Sequence, residues 1–310
     1  MVDFRLGGPV EKNTVVTIGS FDGVHLGHQS ILNVMQAEAE TWGLETLVAS
    51  FHPHPREVLT SECKLLLSPV EERSVLLAAY GVQHHALIPF NVELSQMEPE
   101  DFVTSILVDQ FRVKKLIVGY DHRFGRNRRG DVALLRRMGK ESDFGVIECD
   151  EVVMDSETIS SSGIRTLLSE GSVGRASAFL GRRYGLIGTV VRGAGRGKGI
   201  GIPTANIEVH PSNKLIPKNG VYAVRAEIES NGKMLGGMMN IGSRPTFELS
   251  GPVRLEVNLF DFDGDLYDRE VRVEFVERVR DERKFGSVSD LIEQLNADRL
   301  RCNGLLSAIS

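Results

Sequence analysis

The hydrophobic positions change their spacing near residue 184, and the change divides the chain in two. Upstream, short apolar runs at Val15–Ile18, Thr46–Phe51, His85–Ile88 and Leu116–Val118 alternate with segments of three- and four-residue apolar spacing near Gln29–Trp42, Val70–Tyr80 and Glu100–Phe111. The short runs read as strands and the longer spacing as amphipathic helices. Their alternation predicts a parallel sheet covered by helices over residues 1–184. Such sheets bind ligands at the carboxyl ends of their strands. From Gly185 onward the chain breaks into short β runs, Leu186–Arg192, Val221–Ile228, Met234–Asn240, Val253–Phe260 and Val271–Val276. Turn signals at Asn219-Gly220, Asn231-Gly232 and Asp263-Gly264 separate them, and a last amphipathic stretch, Val288–Leu300, reads as a helix. Residues 185–310 are therefore expected to form a small antiparallel β-barrel with a C-terminal helix.

Composition narrows the picture. At 310 residues, 41% hydrophobic and 25% charged, the chain has room for two ordinary cores. A net charge of −6 argues against a general nucleic-acid binder, and no apolar run is of signal-peptide or membrane-spanning length. Cys63, Cys149 and Cys302 are odd in number and widely spaced, which fits neither a disulfide framework nor a zinc site. The expectation is a reduced, cytoplasmic protein without nucleic-acid or membrane partners; a weak homo-oligomer is left open.

The chemistry concentrates where the first long strand ends. The run Gly19-Ser-Phe21-Asp22-Gly23-Val-His25-Leu-Gly-His28 joins that strand to a helix, so unpaired backbone N–H groups and the helix dipole create an anion site. His25 and His28 stand three apart and can face one point there, suiting a reaction in which negative charge builds on a phosphoryl group. A tight turn capped by ordinary histidines is the plainer alternative; the flanking FDG and GH weigh against it. The segment resembles the HxGH motif of the nucleotidylyltransferase superfamily, which implies a Rossmann-like α/β domain that joins a nucleotide to a phosphorylated partner and releases pyrophosphate. That motif leaves the partner open among pantetheine phosphate, nicotinamide mononucleotide, a sugar or glycerol phosphate, and FMN.

Further segments narrow the choice. Ile159-Ser160-Ser161-Ser162-Gly-Ile-Arg165 places hydroxyls at a helix start, good as N-caps and good for gripping phosphates, with Arg165 within reach of a leaving pyrophosphate. It resembles the ISSTxxR motif of the same superfamily, with Ser162 in the Thr place. The stretch Val118-Gly-Tyr-Asp121-His122-Arg-Phe124-Gly-Arg-Asn-Arg-Arg-Gly-Asp131 reads by composition as a solvated basic loop. It resembles the GxDFxFGxxxxGD stretch of bacterial FAD synthetases, with His122 replacing an aromatic. Phe51-His52-Pro53-His54-Pro55 matches the FxPHP loop of that family, which shapes the flavin side of its site. The histidine pairs 25/28 and 52/54 have no neighbouring cysteine, and the phosphate-like context weighs against zinc.

The second half has its own signature. Gly193, Gly195, Gly197, Gly199 and Gly201 alternate with Arg196 and Lys198, failing the common phosphate-loop spacings but giving a basic, flexible flap able to wrap polyphosphate. It runs into Ile202-Pro203-Thr204-Ala205-Asn206. Gly201 to Asn206 resembles the PTAN motif of riboflavin kinases, in which Thr and Asn oxygens bind Mg²⁺ and nucleotide phosphate, the ligand type that cation requires. Asn219–Tyr222, Asn240–Phe247 and Leu255–Phe262 match the same family. Glu256 stands in the place of its catalytic glutamate, and Asn258 where the family often has His. Asp261-Phe-Asp-Gly-Asp265 fails the calcium-loop spacing, since Gly264 is fourth rather than sixth, and reads as a hairpin turn.

With motifs in order over nearly the whole chain, the sequence is identified as a member of the bifunctional bacterial riboflavin kinase/FAD synthetases. The resemblance implies ATP and Mg²⁺, riboflavin phosphorylated to FMN by the second domain, and FMN adenylylated to FAD by the first. A kinase with a silent first domain, or a flavin carrier without turnover, would use the same folds; the intact HxGH pair disfavours the former, and Glu256 with PTAN the latter.

Overall fold

A computed structural model describes residues 2–5, 10–60, 65–193, 202–230, 232–243 and 253–309. Its contacts separate two compact units, Met1–Ser161 and Ser162–Ser310.

The first unit runs β1 (Val2–Arg5), β2 (Thr14–Ile18), α1 (Leu26–Trp42), β3 (Glu45–His52), α2 (Pro55–Thr60), α3 (Val70–Ala79), β4 (His84–Pro89), α4 (Val92–Ser95) and α5 (Pro99–Phe102). The last continues as a π-helical segment, Val103–Gln110, before β5 (Val113–Gly119), α6 (Val132–Glu141), β6 (Gly145–Cys149) and a two-strand ribbon, β7 (Val153–Met154) and β8 (Glu157–Thr158). The six long strands form one sheet in the order β1-β4-β3-β2-β5-β6, parallel throughout. Strand alternation sends Val16, Leu47 and Leu116 to the face covered by Phe102, Leu107 and Leu135. Their neighbours Val15, Val48 and Ile117 go to the opposite face, under Leu32, Met35 and Leu77. Burial on both faces is why these strands read as continuous apolar runs. Helix α1 buries Gln29, Leu32, Met35 and Ala39 and ends at Gly43 in the left-handed region, φ 63°, whose N–H returns to Ala39 O.

The second unit begins with α7 (Ser161–Glu170) and α8 (Val173–Leu180). The division by contacts thus falls ahead of these helices, which the spacing change at 184 had grouped with the sheet. Helix α8 packs on the barrel, where a Cβ on Gly174 would come within 2.7 Å of Glu277 Oε2, and Lys218 N donates to Leu168 O at 3.0 Å. The barrel strands are β9 (Gly185–Val191), β10 (Ala205–Val209), β11 (Gly220–Ile228), β12 (Met234–Ser243), β13 (Val253–Leu259) and β14 (Glu270–Arg280), followed by α9 (Val288–Ser307). They close in the order β10-β13-β12-β11-β14-β9. Two strands therefore lie between β13 and β14, so Asp261–Asp265 is a crossover between non-neighbours rather than the expected hairpin turn. Outward-facing Val221, Ala223 and Met238 are sealed by Leu295, Cys302 and Leu306 of α9. Asp298 of α9, buried, receives both Nε and Nη2 of Arg280, at 3.0 and 2.7 Å.

Candidate active sites

In the first unit the sheet delivers the chain to its carboxyl edge at Gly19, whose N–H donates to Ala49 O at 3.0 Å. The next residues are held in a conformation they would not choose. Phe21 and Val24 have φ of 46° and 40°, and Gly23 has φ 88°; for the two side-chain-bearing residues this costs on the order of 1–3 kcal/mol each. The surroundings over-determine it. The Asp22 carboxylate, fully buried, accepts from the N–H groups of Leu67 and Ser68 at 3.2 and 2.8 Å. Gly23 N donates to Ser68 Oγ at 2.7 Å, Gln29 Nε2 to Val24 O at 2.9 Å, and Ser161 Oγ to Asp22 O at 2.8 Å. Asp22 is thus the clamp beneath the turn and does not line the cavity above it.

The turn ends at His25, the N-cap of α1, whose Nδ1 accepts a long 3.4 Å bond from His28 N. A neutral His25 therefore carries its proton on Nε2. The two imidazoles stack, centroids 3.7 Å apart and 18° between planes, and the Phe21 ring lies 4.7 Å from that of His28. Gly27 leaves this stack room, since a Cβ there would make a tight 3.2 Å contact with the His25 ring. Burial holds His28 well below the ordinary histidine range, and the neighbouring His25 and the Arg73 guanidinium push it the same way. His28 is thus available as a neutral donor. His28 Nδ1 is buried without a partner. Arg73, on α3 and itself buried, donates to Ser20 O at 2.6 Å; it is a cation under the turn that no local pattern marked.

A cavity of about 410 Å³ opens over these rings, its wall including Gly19, Phe21, His25, His28, Asp121 and Ser160. Ser162 and Arg165 follow on α7 within the second unit. A second cavity of about 520 Å³ in the same unit is largely apolar, with Phe51, Leu59, Phe90, Met97, Phe102 and Phe124 in its wall and His54 among its polar groups. His52 and Pro53 are exposed and outside that lining. The rings of Phe51 and Phe90 meet edge to face at 5.5 Å, and those of Phe102 and Phe124 are 5.8 Å apart. The GxxxxGD part of the loop proves architectural: a Cβ on Gly130 would be 2.6 Å from the Phe124 ring, and Asp131 Oδ1 caps α6 by accepting from Leu134 N at 2.9 Å.

In the second unit the barrel register assembles the site. Glu256 on β13 lies directly opposite Asn206 on β10 and Asn240 on β12, which puts the three side chains on one face in a row. Two residues along, Asn258 is buried, and its Nδ2 donates to Pro203 O at 2.7 Å, tying the PTAN segment to β13. Its Oδ1 has no partner. Thr204, Asn240, Glu256 and Asn258 line a cavity of about 490 Å³ whose apolar side is Ile202, Val221, Met238, Leu291 and Leu295. Asn206 stands beside this lining with its amide against Gly193, where a Cβ would collide with it. Gly195, Gly197, Lys198 and Gly201 lie outside the described residues. The donors offered by Thr204, Asn206 and Glu256 are all oxygens, and no cluster of three His, Cys, Asp or Glu positioned for a metal occurs among the described residues. Two neutral oxygens fit Mg²⁺, which takes few protein ligands and completes its shell with water and phosphate.

Comparison with known proteins finds a family model for each half of the chain. The FAD synthetase family model matches residues 8–163 and the riboflavin kinase model residues 180–306. The chain is 35% identical to the bifunctional riboflavin kinase/FMN adenylyltransferase of Bacillus subtilis over 93% of its length and 91% of the relative's. It is 36% identical to that of Pseudomonas fluorescens, covering 94% and 92%. A crystal structure of a Streptococcus pneumoniae protein named macrolide-efflux protein superposes with a TM-score of 0.89 at 30% identity, covering 97% of this chain and 98% of that one. No helix among the described residues here is long and apolar enough to cross a membrane.

Proposed function

The chain belongs to the family of bifunctional riboflavin kinase/FMN adenylyltransferases, and on that premise we propose which residues carry each step. The enzyme phosphorylates riboflavin to FMN and adenylylates FMN to FAD, with ATP as co-substrate.

For the kinase step, riboflavin occupies the cavity beside α9, its ring against Ile202, Val221, Met238 and Leu295. Glu256 accepts the proton of the 5′-hydroxyl as that oxygen attacks the γ-phosphorus of ATP and the bond to the leaving ADP breaks. Asn206 and Asn240, opposite Glu256 on both sides, hold its carboxylate and the hydroxyl in line. Thr204 and Asn206 would hold Mg²⁺, which neutralises charge on the nucleotide phosphates when bound. Gly195, Gly197, Lys198, Gly201 and Pro203 complete the phosphate flap in this reading.

For the adenylyl step, a phosphate oxygen of FMN attacks the α-phosphorus of ATP, and the bond to pyrophosphate breaks. The stacked His25–His28 pair at the head of α1 is the observation that carries this assignment. Imidazole N–H groups beside a helix N-terminus stabilise charge on the α-phosphoryl oxygens. Ser160 takes the leaving pyrophosphate, a role that the ISSTxxR resemblance extends to Ser162 and Arg165. Ser161, whose hydroxyl already donates to Asp22 O, contributes through its backbone. Gly19, Phe21, Asp22 and Gly23 shape the turn, Asp121 faces the nucleotide, and His52, Pro53, His54 and Phe124 belong to the flavin side. Cys149 and Cys302, buried and free, support a cytoplasmic setting.

Chromatography of products from the full chain incubated with ATP, Mg²⁺ and either riboflavin or FMN tests these roles. Glu256→Gln should abolish FMN formation from riboflavin while FAD still forms from supplied FMN. His28→Ala should do the reverse, slowing FAD formation on the order of 100-fold. Loss of both activities in either variant, or of neither, would refute the assignment.

A further inference from the structure

The two cavities of the first unit share part of their wall: Ile18, Gly19, Ser20, His122, Arg123 and Arg128 border both. Given the reading above, in which one cavity takes ATP and the other the flavin, the flavin phosphate meets the α-phosphorus along this wall. Its side chains are not equally free. Arg123 is committed to Asp131 at 3.2 Å, and the neighbouring loop arginines 126 and 129 both pair with Glu98 at 3.2 Å. Arg128 makes no ion pair among the described residues. The His122 ring lies 5.7 Å from that of Phe124 at 26°, and Phe124 borders the flavin cavity alone. His122 Nε2 is buried without any hydrogen-bond partner.

We propose that His122 donates a hydrogen bond from Nε2 to the flavin phosphate and, with Arg128, holds it for attack. A buried polar nitrogen left unpaired is costly, and an incoming phosphate oxygen is the partner the reaction itself supplies. The ring keeps the packing that an aromatic provides, since one face remains on Phe124, while adding a donor that Phe lacks. Burial pushes His122 down to about 4, so at neutral pH it is an uncharged donor. The positive charge needed opposite a phosphate comes instead from Arg128.

The test is initial-rate kinetics of FAD formation by the full chain, varying FMN and ATP separately, for the parent, His122→Phe, His122→Gln and Leu59→Asp. His122→Phe keeps the stacked ring and removes the nitrogen. Losing one hydrogen bond to a charged group should raise KM for FMN roughly 10- to 100-fold, with KM for ATP and the riboflavin kinase rate unchanged. His122→Gln, which returns an amide N–H close to the Nε2 position, should recover part of the loss. Leu59→Asp puts a charge in the apolar cavity and should raise KM for FMN whatever His122 does. An unmoved FMN KM in His122→Phe beside a raised one in Leu59→Asp overturns the proposal and leaves the cavity assignment standing. An FMN KM unmoved in both overturns the cavity assignment and the proposal together. Equal rises in both KM values for His122→Phe mark a packing role and also overturn it.

Discussion

Asn258→Ala separates what holds the kinase site in place from what holds the barrel together. In the parent, Asn258 Nδ2 donates to Pro203 O at 2.7 Å, a bond joining residues 55 apart in sequence, while its Oδ1 is buried and unpaired. Removing the amide loses a hydrogen bond worth about 1 kcal/mol. It leaves a void of roughly 30 Å³, costing about 0.7 kcal/mol at about 24 cal/mol per Å³. It also relieves an unsatisfied buried oxygen, which returns about 1–3 kcal/mol. These contributions cancel to within about 1 kcal/mol, so Tm should move by less than about 4 °C. Activity should not be spared. Pro203 immediately precedes Thr204, and without its anchor the PTAN segment can drift relative to Glu256. A misplacement of about 1 Å can cost on the order of 100-fold in rate. The expected result is kcat for FMN formation down roughly 10- to 100-fold, with FAD formation from supplied FMN unchanged. Thermal melts and the two product assays on one preparation decide it. A Tm fall above about 8 °C would show the amide to be part of the barrel's stability, and an unchanged kcat would show that the PTAN segment holds itself.

Other variants probe the first unit and the α9 contact. Gly27→Ala places a methyl 3.2 Å from the His25 ring; it should hold or raise Tm through better helix propensity yet slow FAD formation roughly tenfold, and an unaffected rate would mean the histidine stacking is dispensable. Burial lowers His85 to about 3, between Ser50 and Ser74 hydroxyls each 2.7 Å away. Its folded pKa lies below the unfolded value near 6.5, so the unfolded chain binds the proton first. Its contribution is complete above pH 6.5 and is lost as pH falls toward about 3, at up to about 1.4 kcal/mol per pH unit. Denaturant titrations at pH 7 and 5 should show a shallower pH dependence for His85→Gln than for the parent; an equal dependence would remove His85 as the cause. Asp298→Ala leaves the Arg280 guanidinium without its buried carboxylate and should destabilise the second unit by about 3 kcal/mol, read as a lower Tm with FAD formation from FMN intact at 25 °C.

Strands with runs of buried β-branched residues were legible along the chain, and so were the motifs that join them, because both depend on near neighbours. Strand β10 was not, since Ala205–Val209 begins inside the PTAN motif and carries Asn206 and Glu208 outward, leaving too few apolar positions for a strand period. Arg73 and His85 were equally silent: each acts through groups on other elements, such as Ser20 O, 53 residues from Arg73. The harder limit concerns role. A motif read as chemistry mixes residues that touch substrate with residues that make room for them. Asp22 and Gly23 look like phosphate ligands in sequence, yet their bonds go to Leu67 and Ser68. Gly130 is a glycine because the Phe124 ring occupies the space of a Cβ, Gly27 leaves room beside the His25 ring, and Asp131 is acidic because it caps α6. His122 is the reverse case. In sequence it looks like a departure that weakens a match, and only its burial, its stacking on Phe124 and its unpaired nitrogen turn the departure into a group with chemistry of its own. In this chain, a substitution that breaks a motif while keeping a ring is therefore where a further contact to the substrate is placed.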